Sequence, residues 1–184
     1  MIAYIVCEGI FDVHLLKLVL PEELLNNVEI VSAGGLSAVK SLARSLIVRR
    51  QVPVAIVVDA DSVAPEVVQE RLKNIEELVE SVSVNTPIKV IAAVPQTEII
   101  FFQDIGLLSR LLGYEPSQEM LTSAAFQPCK TLKKLLSQSH NKDSFSQVIN
   151  ELTNEDLEIL RQAPFIQELI HFLQSVQEKA TVNI

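Results

Sequence analysis

The sequence predicts an α/β fold: a mostly parallel four-stranded sheet flanked by helices, followed by an α-helical C-terminal extension. Over residues 1–112, short apolar runs rich in Val and Ile alternate with helix-spaced segments, the rhythm of successive βαβ units. Beyond Gly113 the β signal stops and the apolar spacing is helical throughout. The run Val52-Pro53-Val54-Ala55-Ile56-Val57-Val58 is apolar on both alternations, as expected for a central strand covered by helices on both faces.

Taken in order, the first strand covers residues 3–7, and the helix after it covers 12–19 and stops at Pro21. A second strand at 28–32 leads through Ala33-Gly34-Gly35 into a helix at 37–48, with Ser37 as its N-cap. The third strand is 54–58. Pro65 suits the first turn of the next helix, whose wet side carries Glu66, Glu70, Arg71, Lys73, Glu76, Glu77 and Glu80. Val67, Leu72, Ile75, Leu78 and Val79 form its core side. A fourth strand at 88–94 ends at Pro95-Gln96, and one apolar helix follows from 97 to 112, ended by Gly113. The tail, 113–184, reads as helices at 131–137, 144–152, 155–161 and 164–178. It is too short for a large core of its own, so it packs on the 1–112 domain or on a second copy in a homodimer.

Composition limits the function classes. A chain of 184 residues that is 48% apolar can bury one substantial core. Its formal charge of -8 argues against holding nucleic acid by bulk electrostatics, because phosphates are drawn by a positive field, and leaves only local basic patches for that work. Cys7 and Cys129 make no disulfide framework, and Cys7 lies in a strand where a thiol serves as a small hydrophobe. With no signal-peptide pattern and no apolar stretch of membrane-spanning length, the expectation is a cytoplasmic protein without a membrane partner.

The chemistry-bearing residues are acids at strand ends. Glu8 closes the first strand, and Asp59 and Asp61 close the third. The C-terminal strand ends of an open parallel sheet converge on one crevice, where three carboxylates could meet around a cation. Asp59 and Asp61 are two residues apart, so extended backbone would point both carboxylates to one side, with Ala60 too small to obstruct a ligand. Gly9 permits a sharp turn or the close approach of a phosphate. Three such acids repel one another and raise their pKa values unless a cation neutralises them, and hard oxygen ligands suit Mg²⁺. The competing reading is a solvated strand-to-helix turn. Asp12 is equally suited to a helix N-cap, and Glu98 to complementing a helix dipole.

Gly34 and Gly35 form a turn that could admit phosphate, and Lys40 and Arg44 lie one helical turn apart just beyond it. Lys130, Lys133 and Lys134 make the best local basic patch, either contacting substrate backbone or simply solvated. His14, His140 and His171 have no partner at ligand spacing, and neither a nucleophile elbow nor a P-loop is present.

Three strings in order, Cys7-Glu8-Gly9-Ile10-Phe11-Asp12, Ser32-Ala33-Gly34-Gly35 and Val57-Val58-Asp59-Ala60-Asp61-Ser62, resemble the Toprim domain over residues 1–112. That family is shared by topoisomerases, bacterial primases, some recombination mediators and the overcoming-lysogenization-defect nucleases. The resemblance implies a Rossmann-like sheet, acid/base work or metal binding by Glu8, and Mg²⁺ or Mn²⁺ held by Asp59 and Asp61. Asp12 matches the position of a further acid in the nuclease branch. The stretch Pro95-Gln96-Thr97-Glu98 resembles that branch's Pro-x-x-Glu, which makes Glu98 a second-metal candidate, although Phe stands where that branch has Trp. Tyr4 falls in a core strand and Tyr114 follows a helix-ending glycine, so no cleavage tyrosine of the topoisomerase kind is recognisable. No Cys/His set has the zinc spacing of primases.

Metal-dependent phosphodiester hydrolysis is therefore the leading expectation, with DNA ahead of RNA as substrate and Gly9, Gly34, Gly35, Lys40, Lys130 and Lys133 as phosphate contacts. A non-catalytic scaffold that recruits nucleic acid or a separate ATPase chain is the second reading. A phosphate-handling enzyme acting on a small molecule is the third.

Overall fold

The computed structural model describes residues 2–139 and 144–182, so His140 lies outside the described residues. Strands β1 (Ala3–Cys7), β2 (Val28–Ser32), β3 (Val54–Asp59) and β4 (Ile88–Ala93) form one sheet in the order β2-β1-β3-β4. Every pairing is parallel, and Cys7 stands opposite Ser32 on one side and Val57 on the other. The fold class is the expected one: α/β, with helices on both faces.

Alternation along the strands divides the core into two layers. Tyr4, Val6, Val54, Ile56, Val58 and Val90 face α3 (Leu36–Arg50) and α4 (Pro65–Glu80), meeting Val39, Ala43, Ile47, Ile75 and Val79. Ala3, Ile5, Cys7, Ala55, Val57, Ile91 and Ala93 face the other way. There they meet Leu15, Leu16 and Val19 of α1 (Ile10–Val19) and Leu108 and Leu111 of α5 (Ile105–Leu112). The same layer takes Leu132 and Leu135 from α7 (Pro128–Gln138), Leu157 and Leu160 from α9 (Asn154–Leu160), and Leu169 and Leu173 from α10 (Pro164–Val182). Tail side chains and sheet side chains thus share one apolar layer, and each fully buried Leu or Ile in it contributes about 1.5–3 kcal/mol.

Several boundaries differ from the sequence reading. The segment 97–112 is not one helix: a 3-10 segment, Thr97–Phe102, precedes α5, and Asp104 caps α5 by accepting the Leu107 N–H at 2.7 Å. Ser37 is not the cap of α3, which starts one residue earlier with Gly35 in the N-cap position at φ 131. Asp12 does not cap α1 from outside; it sits in the first turn and accepts the Gly9 N–H at 2.8 Å. Two helices carried too weak a periodicity to be read: α2 (Glu22–Leu25) and α6 (Gln118–Ala124). Between α7 and α9 lies α8 (Phe145–Asn150). No helix among the described residues is long and apolar enough to cross a membrane.

Candidate metal centre

In the order β2-β1-β3-β4, the chain leaves β1 toward one edge and returns to add β3 on the opposite side, so β1 and β3 flank the switch point of the sheet. Glu8 follows β1 directly and Asp59 is the last residue of β3. The Asp59 N–H donates to Glu8 Oε1 at 3.2 Å, joining the two acids across the junction. Asp59 Oδ1 in turn accepts from the Thr97 N–H at 2.8 Å and the Thr97 hydroxyl at 2.9 Å. The second oxygen of each carboxylate takes no hydrogen bond from the described residues.

The electrostatics are those of crowded, half-buried acids. Burial raises the Asp59 pKa to about 7, against the pull of the Thr97 N–H and hydroxyl, with the Glu98 and Asp12 charges adding to the rise. Glu8 is raised chiefly by burial, opposed by the Asp59 N–H and Arg71 and reinforced by Asp61 and Asp12. Asp12 is also raised by burial, while the Gly9 N–H and the Thr97 hydroxyl oppose it. Glu8, Asp12, Asp59 and Glu98 are thus close enough for charge on one to disfavour charge on another.

Asp61 departs from the expectation of a paired Asp59/Asp61 face. The strand ends at Asp59, and Asp61 takes a left-handed backbone, φ 53, so the extended alternation that would have aligned the two carboxylates is broken. Arg71 reaches back from α4 and pairs with Asp61 Oδ2 at 3.0 Å, while its other amino group donates to the Ala60 carbonyl at 3.3 Å. Gln96 Nε2 donates to the remaining oxygen, Oδ1, at 3.4 Å. Asp61 therefore serves as an anchor for α4 and for the chain after β4.

Glu98 is buried in the 3-10 segment beside the Cys129 thiol, which burial pushes up to about 11, with the Glu98 contact and charge adding to the rise and Lys133 opposing it. Next to them opens a cleft of about 400 Å³ lined by Gln96, Gln127, Cys129, Lys130 and Lys133. Gln96 spans the two features, since its Oε1 accepts the Cys129 N–H at 3.4 Å. Lys130 and Lys133 are exposed on α7, on one face of the sheet, whereas Lys40 belongs to α3 on the other. The proposed phosphate contacts consequently flank the crevice and do not form one patch.

The glycines divide in the same way. Gly34, φ 88, and Gly35, φ 131, occupy backbone that favours glycine, and the Gly34 N–H donates to the Glu8 carbonyl at 2.9 Å, pinning the turn against the site. Gly9 has φ -119, ordinary extended backbone, so the bend at residues 8–9 does not depend on a glycine.

Hard divalent cations take carboxylate oxygens, and crowded acids with raised pKa values gain most from a neutralising cation. Glu8, Asp59 and Asp12 fit that description, and Glu98 adds a further carboxylate whose charge acts on Asp59. In the geometry seen, however, no three His, Cys, Asp or Glu side chains among the described residues are gathered closely enough to hold an ion. A metal would need side-chain rotation to complete its shell. Thr97, Arg71 and Gln96 were not recognisable as site residues from sequence: Thr97 reaches Asp59 only because β4 pairs with β3, and Arg71 reads as one more charge on a wet helix face.

In comparisons with protein-family models, curated proteins and solved structures, nothing matches this chain.

Proposed function

We propose that the strand-end site is a Toprim-like, Mg²⁺- or Mn²⁺-dependent centre for hydrolysis of nucleic-acid phosphodiesters, in a cytoplasmic protein. The observation that carries the reading is the joining of Glu8 to Asp59 across the β1–β3 switch point, with the Asp59 pKa raised to about 7. Glu8 and Asp59 would hold one ion, and Asp12 and Glu98 would serve a second, after rotation of their free oxygens. When bound, such ions lower the pKa of water and neutralise charge on the phosphate and leaving oxygen.

The remaining steps belong to side chains. Thr97 fixes the orientation of Asp59 through two hydrogen bonds, leaving Oδ2 toward the ligand. Asp61 holds Arg71 at the rim of the crevice, within range of Glu8. Lys130 and Lys133 line the adjoining cleft, where they would take the phosphate next to the one cut. Alternatively Glu8, with its pKa raised, is suited to accept a proton from water at Oε2, in which case Asp59 would hold the first ion without it.

The test is incubation of the purified protein with plasmid, single-stranded DNA, RNA and nucleotides in Mg²⁺ or Mn²⁺. Cleavage of a polymer that Glu8→Gln and Asp59→Asn abolish supports the reading; cleavage at wild-type rate by either variant overturns it.

One observation favours a non-catalytic scaffold for nucleic acid or a partner ATPase chain. Asp61 is committed to Arg71 and Asp59 to Thr97, so these acids already have protein partners without a metal. On that reading wild-type protein binds a polymer without cutting it, and the Glu8 and Asp59 variants bind equally well.

A further inference from the structure

Helix α3, like α7 with Lys130, Lys133 and Lys134, carries cations and no carboxylate, and it is the longer of the two. The chain has 23 acidic and 15 basic residues, yet the 15 residues Leu36–Arg50 contain Lys40, Arg44, Arg49 and Arg50 and no carboxylate. Among the described residues none of those four makes an ion pair. Arg49 and Arg50 complement the negative end of the helix dipole. Lys40, near the positive end, and Arg44, in the middle, gain nothing from it.

The solvent side of the helix is built to be approached. Ser37, Ala38 and Ser41 are exposed and have short side chains, and Arg44, Val48 and Arg49 are exposed farther along the helix. Arg44 and Arg49 share a shallow cleft of about 370 Å³ with Ser41, Ser45, Val48 and Val82. Val48, 55% exposed, adds apolar surface to the same cleft. Two arginines lining one cleft with two serine hydroxyls suit phosphate oxygens, which take bidentate donors.

Position links this face to the crevice. The turn that opens α3 is hydrogen-bonded to the carbonyl of Glu8 through Gly34, so the helix starts at the acid site and carries its cations away from it over about 22 Å. The geometry points to α3 as a docking face for the backbone of duplex DNA, with Lys40 nearest the crevice and Arg44 and Arg49 gripping phosphates farther along. This inference rests on the phosphodiester reading of the strand-end site and names its substrate as a polymer extending well beyond the cut. A mononucleotide would not reach these residues.

The test is fluorescence anisotropy of a labelled 20-base-pair duplex in EDTA, at several salt concentrations between about 50 and 200 mM. Arg44→Gln/Arg49→Gln is compared with wild type and with Lys17→Gln/Lys73→Gln, which removes the same charge elsewhere. Loss of two phosphate contacts should reduce the slope of log K against log salt by about 1.8 and weaken binding at low salt about tenfold, with the control pair unaffected. Equal slopes for wild type and the α3 variant overturn the proposal, as does a wild type that binds no duplex. A variant that loses binding to anionic vesicles and keeps its hold on DNA also overturns it. Because binding is measured without metal, these outcomes are independent of the cleavage assay. Hydrolysis abolished by Asp59→Asn alongside an unchanged α3 slope would reject the docking face and leave the catalytic reading standing.

Discussion

Asp59→Asn should make the metal-free protein more stable at alkaline pH while destroying its response to metal. The amide keeps an oxygen to accept from the Thr97 N–H and hydroxyl, now at 2.8 and 2.9 Å, so the local geometry can persist. What disappears is the ionisable group. Asp59 has its pKa raised from 3.8 to about 7, so the folded state holds this proton more tightly than the unfolded chain. Its contribution is fully present below pH 3.8 and is lost as pH rises through about 7. At about 1.36 kcal/mol per pH unit the whole loss is about 4 kcal/mol, of which about 3 kcal/mol falls between pH 5 and pH 8. For a chain of this size that corresponds to about 6–12 °C in melting temperature. Thermal or urea unfolding in EDTA at both pH values should show wild type losing stability across the window and Asp59→Asn losing much less. Adding Mg²⁺ at pH 8 should restore the wild type and leave the variant unchanged, because a ligand stabilises only the state that binds it. A wild type and variant with parallel pH profiles would refute the claim that burial raises the Asp59 pKa despite its hydrogen bonds from Thr97.

Proton release on metal binding gives a second expectation. Apparent Mn²⁺ affinity, measured by calorimetry, should rise about tenfold between pH 6 and pH 8 as Asp59 ionises, and a flat profile would count against Asp59 as a ligand. Thr97→Val removes the hydroxyl that accompanies the backbone N–H on Asp59 Oδ1; it should push the Asp59 pKa higher and shift any pH–rate profile to the alkaline side, with the fold retained by circular dichroism. Arg71→Met frees Asp61 at the cost of an ion pair, so unfolding experiments should show a loss of about 1 kcal/mol, while calorimetry should show tighter metal binding if Asp61 can join the site. Leu169→Ala, in the apolar layer that α10 shares with the sheet, should cost about 2–5 kcal/mol and keep a single unfolding transition; two separate transitions would show the tail to be an independent unit.

The legible parts of this molecule are those where a side-chain pattern answers directly to local geometry. Val54 to Val58 is apolar at every position because helices cover both faces of β3, and that continuity survives in the sequence. Glu8 and Asp59 were readable for a related reason: an acid directly after an apolar strand lies at a sheet edge, and parallel sheets place their crevice there. The direction of Asp61 was not legible because it depends on one backbone angle, and that angle accompanies an arginine arriving from the next helix. Residues 97–112 read as one helix since their apolar spacing is continuous, whereas Asp104 breaks the run by taking the Leu107 N–H. Thr97 carries no local signal at all. Its role exists only where β4 lies beside β3.

Calorimetric titration of Mn²⁺ into metal-free protein at pH 8, with wild type, Glu8→Gln and Asp59→Asn in parallel, decides whether the β1–β3 junction is a metal centre. Saturable binding by the wild type that both substitutions abolish is the predicted result. Absence of binding in the wild type, or undiminished binding in both variants, would contradict a metal centre at the β1–β3 junction.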